Sequence, residues 1–183
     1  MNNAENVSVG KPAIEGAVFN APAGTTLPTA TATALDAAFK AMGYVSEDGV
    51  TNSNGLSTEQ IRAWGGDVVL STKEDKFTFT LIEVLSPEVL KVAYGDTNVT
   101  GSSLATGVSV AVNDTQQGGS VYVFEMLLGK DTLKRIVVPK GIVSEIGEIE
   151  YKDDEPVGYE ITITCGADES GNTHYEYLKT ASV

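Results

Sequence analysis

The spacing of apolar positions changes several times along this chain, and each change marks an element. Over residues 75–85, Phe77, Phe79 and Leu81 alternate with Thr78, Thr80 and Ile82. A period of two predicts a half-buried strand with one strongly apolar face. Ser86-Pro87-Glu88 follows, and Val89, Leu90 and Ala93 then recur at helical spacing up to Gly95. Ser86 as N-cap, Pro87 at the first helical position, Glu88 against the helix dipole and Gly95 as terminator predict a helix. Leu85 and Leu90 stand where a hydrophobic staple would form. Leu35, Ala38, Phe39 and Met42 also keep helical spacing, which predicts a second helix between a Thr33 cap and Gly43.

Beyond a polar loop at 96–107, strands are predicted at 108–113, 120–128, 132–139, 142–151, 157–165 and 174–179. Their connections are Gln116-Gln117-Gly118-Gly119, Gly129-Lys130-Asp131, Lys152-Asp153-Asp154-Glu155-Pro156 and residues 167–172, all turn chemistry. About eight or nine strands with one or two helices predict a mainly β domain. It is a β-sandwich or partly closed barrel flanked by one main α-helix.

Two stretches are less regular. Residues 1–33 are poor in charge and carry Pro12, Pro22 and Pro28, so they predict an extended N-terminal arm with a short strand at Ala17-Val18-Phe19. Ile14, Val18, Phe19 and Leu27 are more apolar than a solvated tail requires. Residues 44–70 contain the turn dipeptides Asp48-Gly49 and Asn54-Gly55 and predict a long irregular hairpin loop, extended over 59–64. A loop of that length is functional or disordered. The chain of 183 residues thus divides into the arm, 1–33, and one β domain, 34–183.

The run Phe39-Lys40-Ala41-Met42-Gly43-Tyr44-Val45-Ser46-Glu47-Asp48-Gly49-Val50 resembles the opening of the major tail tube proteins of long, non-contractile-tailed phages. Ala63-Trp64-Gly65-Gly66-Asp67, Phe77-Thr78-Phe79-Thr80-Leu81-Ile82-Glu83 and Ser86-Pro87-Glu88-Val89-Leu90 continue the pattern in order. Lys134-Arg135-Ile136-Val137-Val138-Pro139 and Gly158-Tyr159-Glu160-Ile161-Thr162 extend it towards the end. The resemblance spans roughly residues 11–177 and rests on this succession, since no single motif is specific. It implies a structural virion protein that self-assembles into stacked hexameric rings, forming a tube through which DNA reaches the host. It implies assembly in the host cytoplasm, and partners that are further copies of the chain, the tape measure, the tail terminator and the tail tip. Under it, Glu47, Asp48, Gly49, Asn54, Gly55 and Glu59 belong to a loop that reaches the adjacent ring. Ile14, Val18, Phe19 and Leu27 would then pack the arm on a neighbouring subunit.

Charge sharpens this picture. Twenty-five acids against twelve bases give a net charge of −13, which disfavours specific nucleic-acid binding and suits a wall beside which DNA must slide. Glu125, Glu148 and Glu150 interrupt or alternate with apolar strand positions and are the candidate lumen acids. No apolar run reaches membrane-spanning length, and Met1-Asn2-Asn3-Ala4-Glu5 lacks the basic and apolar regions of a signal peptide.

Chemistry is sparse. Cys165 is the only cysteine, so no internal disulfide is available, and it is expected as a small buried hydrophobe. His174 is the only histidine and lacks a nucleophile motif. Asp153-Asp154-Glu155 reads as a solvated hairpin tip, and residues 168–172 lack calcium-loop spacing. No enzyme activity, cofactor or metal is therefore expected. The alternative is a non-enzymatic binding module for a glycan or protein receptor, built on Trp64, Tyr44, Tyr175 and Tyr177.

Overall fold

The computed structural model describes residues 7–12, 17–64 and 66–180, with backbone alone at 57–63 and 67–72. Among the described residues, eleven strands, one α-helix and a short 3-10 turn at Asp96–Asn98 follow one another: β1 Gly10–Pro12, β2 Val18–Pro22, β3 Lys40–Ala41, β4 Val45–Ala63, β5 Gly66–Leu81, α1 Pro87–Tyr94, β6 Val99–Thr100, β7 Ser109–Val110, β8 Ser120–Leu128, β9 Thr132–Ile146, β10 Tyr159–Cys165 and β11 Tyr175–Thr180. The main sheet runs β3-β2-β8-β9-β10-β5-β4. β1 also pairs with β8, β11 with β9, and β6 with β7 in a separate small pair.

β9 is the hinge of this arrangement. Its first half pairs with β8 on one side and β11 on the other, while its second half, from Gly141, pairs with β10. Strands predicted at 132–139 and 142–151 are therefore one strand running through Pro139 and ending at Ile146. Proline is tolerated because the β8–β9 register slips there, from Tyr122↔Val138 to Ser120↔Gly141, leaving its missing N–H at a bulge. Gly141 permits the bend. A Cβ at this position would lie 2.6 Å from the Tyr122 ring and 3.1 Å from Ile163.

Because β9 passes from one half of the sheet to the other, the two halves enclose a core in the manner of a sandwich, and the path does not close into a barrel. Phe77, Phe79 and Leu81 of β5 meet Tyr122 and Phe124 of β8, Ile136 and Val138 of β9, and Ile161 and Ile163 of β10. Phe77 stacks on Phe124 with centroids 4.9 Å apart, and Phe79 meets the same ring edge-on at 5.4 Å. α1 closes this core with Val89, Leu90, Val92 and Ala93. Its Pro87 start and Gly95 end match the sequence expectation, but Ser86 makes no side-chain cap bond. Leu85 stays 67% exposed and so forms no staple.

The opposite faces of β8 and β9 are buried as well. Val121, Val123 and Val137 form a second cluster with Ala21 and Phe39, flanked by Phe19, Leu27, Leu35, Ala38, Tyr175 and Tyr177. Burial on both faces explains why β8 reads as a nearly unbroken apolar run. The helix expected over residues 33–43 is absent. An Asx turn at Asp36 and a short strand, β3, occupy the segment instead. The reason is that its apolar residues serve two cores: Leu35, Ala38 and Phe39 join the outer cluster, whereas Met42 enters the inner one. One helical face cannot reach both.

Candidate assembly interface

The feature that stands out from the body is the β4–β5 hairpin. β10 pairs with β5 only as far as Thr164↔Lys76, whereas β4 and β5 continue together from Asn54↔Asp75 to Ala63↔Gly66. Those ten pairs make a two-stranded ribbon about 30 Å long. The expected irregular loop is instead a regular ladder. Asn54-Gly55 sits inside the strand without turning it. Asp48-Gly49 forms a bulge, with Gly49 at φ +73 and the register slipping between Val45 and Val50.

The chain reverses only beyond Ala63, where Trp64 is fully exposed at the apex. Of the residues expected to stack, Glu47, Asp48 and Gly49 thus lie at the bulge beside the body, and Asn54 and Gly55 lie on the ribbon, all but the half-buried Gly49 exposed. Glu59 pairs with Leu70 along the ribbon backbone. Trp64, the residue that the loop carries furthest out, was not among them.

Free edges accompany the ribbon. Among the described residues nothing pairs with the outer side of β4 or β11, and β5 is unpaired on its other side before Lys76. An edge as long as β4, Val45–Ala63, is a template for further strand pairing. The apolar arm residues have a home within their own chain. Val18 is wholly buried in the inner core, and Phe19 and Leu27 flank the outer cluster. Ile14 lies outside the described residues.

Two polar clusters sit behind these surfaces. Glu125 and Arg135 are register partners on β8 and β9. Arg135 Nε donates to Glu125 Oε1 at 2.7 Å, and its Nη1 donates to the carbonyls of Ala30 at 2.7 Å and Thr33 at 2.6 Å. The buried guanidinium therefore ties the 23–39 strap across the outer cluster. Glu125, expected as a lumen acid, is instead ion-paired and largely covered. Glu148 and Glu150 are exposed, with Glu150 at 2.6 Å from Lys152.

The second cluster centres on Asp75, which is 1% exposed. It accepts hydrogen bonds from Thr173 Oγ1 at 2.6 Å, Asn52 Nδ2 at 2.9 Å and His174 Nδ1 at 2.5 Å. A carboxylate only accepts, so the proton of that last bond sits on Nδ1. Burial pushes the Asp75 carboxyl up, but the bonds from Thr173, Asn52 and His174 and the His174 charge outweigh it and hold it below the ordinary value. On the other side of the ring, Glu176 Oε1 lies 3.9 Å from His174 Nε2. Cys165, buried nearby, has its thiol pushed up to about 12 by burial and the Asp75 charge.

Both clusters left a trace in the sequence. Asp75 occupies the same alternating face as Phe77 and Phe79, and Arg135 the same face as Val137. The aromatics that a glycan platform would need are scattered. Trp64 and Tyr44 flank opposite ends of β4, about 60 Å apart along an extended strand, and Tyr175 stacks on Tyr177 against the outer cluster.

An open-edged β-sandwich bearing a ribbon offers strand edges to which further strands can pair. A family model described as phage tail tube protein matches residues 2–182, and the chain belongs to that family. Comparison with curated proteins gives no match. Membership makes the chain a structural component of a virion tail that oligomerises with itself and with other tail proteins.

Proposed function

We propose that the chain assembles into hexameric rings that stack into a tube for DNA passage, with the β4–β5 ribbon bridging neighbouring rings. The observation that carries this reading is the 19-residue outer strand β4, unpaired along its free side among the described residues and prolonged into a ribbon beyond the body. A two-stranded ribbon is marginal alone in water, and an uncovered edge invites pairing. A neighbouring copy supplies both needs. Trp64 at the apex serves as the anchor on that neighbour, since tryptophan is enriched in buried interface centres.

A net charge of −13 per copy accumulates around a closed ring. Charge repulsion of like sign then lets phosphates slide rather than bind. Glu148 and Glu150 remain candidates for the inner wall, and Glu125 contributes no free charge there. The tape measure, the terminator and the tip are the further partners, and assembly takes place in the host cytoplasm.

Negative-stain microscopy with light scattering, on purified protein at rising concentration, tests the reading. Hollow rings or tubes with a pore that admits duplex DNA are expected. Monomeric particles that stay featureless after tail-tip components are added would overturn it.

A further inference from the structure

We propose that Asp75 is the positioning residue of the ribbon, locking its root to the segment ahead of β11 so that it leaves the sheet in one direction. Asp75 lies one residue past the last β5–β10 pair, where lateral support for the ribbon ends. Its three hydrogen-bond donors come from two other segments. Asn52 belongs to β4, while Thr173 and His174 directly precede β11.

The donors are themselves fastened. Asn52 Nδ2 also donates to the Lys76 carbonyl at 3.1 Å, and the His174 ring meets Phe77 edge-on with centroids 5.4 Å apart. Both strands of the root, and the approach to the free edge strand β11, thus converge on one carboxylate. An apolar side chain on this face would join the core without desolvating a charge. A buried carboxylate instead fixes direction, because hydrogen bonds constrain angles where apolar contacts do not.

The lock stands on these contacts alone, and only its consequence for assembly rests on the stacking reading. Amide exchange on the wild type, Asp75→Asn and Thr173→Val tests it, beside the sedimentable fraction of each. In Asp75→Asn, exchange at residues 46–56 and 73–76 is expected to rise at least about tenfold while β8 and the first half of β9 keep their protection. Thr173→Val moves in the same direction by a smaller factor. It also carries the test should Asp75→Asn fail to fold.

Where the wild type assembles, the sedimentable fraction of Asp75→Asn is expected to fall in parallel. Unchanged exchange at the root, or equal acceleration in β8, would overturn the lock. A wild type that never assembles counts against the stacking reading alone, since the exchange contrast still decides the lock.

Discussion

Strands β4 and β5 pass through two different surroundings within one hairpin. Near the body, Phe77, Phe79 and Leu81 are sealed between β8, β10 and α1, and β5 is paired on both sides. Over the ten residue pairs further out, the same strands pair, among the described residues, only with each other and lead to an exposed tryptophan. Apolar burial and two-sided pairing make the inner part self-sufficient, while the outer part has backbone pairing on one side only. On the proposed reading, stability resides in the body and association in the ribbon, and substitutions in the two regions should separate these properties.

The largest expected effect is in the body. Phe124 is fully buried and touches both Phe77 and Phe79. Phe124→Ala should cost about 3–5 kcal/mol in a urea titration, and assembly should be lost with the fold. Arg135→Met should cost about 3 kcal/mol or more, because it strands the Glu125 carboxylate and frees two strap carbonyls. Adding Glu125→Leu should restore part of that loss, with the shortfall measuring the strap. Gly141→Ala should cost about 1–3 kcal/mol through the clash with Tyr122.

The acid limb separates the regions at their junction. The Asp75 carboxyl is held below its ordinary value in the folded state. Its contribution is therefore present above the unfolded-state value near 4 and is lost as pH falls through the lower folded value. Urea midpoints measured from pH 5 downward should fall more steeply for the wild type than for Asp75→Asn. Parallel curves would show that the ionised carboxylate adds nothing at the junction.

Much of the body was legible because its patterns are local. The alternation at 77–81, the Pro87 start and Gly95 end of α1, and the turn at Gly129 each specify their own geometry. The segment at 33–43 misled because spacing reports periodicity without saying which core each residue joins, and Met42 and Phe39 join different ones. Asn54-Gly55 misled for a related reason. A turn dipeptide permits reversal, yet the fifteen-pair β4–β5 ladder carries the chain past it. The Asp75 cluster was hidden because Thr173 and His174 arrive from about a hundred residues away. Only the charged residue on an apolar face hinted that partners must exist.

The smallest expected effect on stability belongs to the residue expected to matter most for association. Trp64 is fully exposed, so Trp64→Ser removes no burial from the isolated chain and should move the urea midpoint by less than about 0.5 kcal/mol. Tryptophan buried at the centre of an interface can contribute about 2 kcal/mol or more per contact, and a repeating assembly meets that loss at every subunit. The critical concentration for tubes should therefore rise at least about thirtyfold while the monomer remains unchanged. Measuring both on one preparation is decisive. Equal assembly by Trp64→Ser and wild type would remove the apex from the interface and leave the free edge of β4 as the associating surface. A fall in monomer stability would instead mean that the ribbon folds back on its own body.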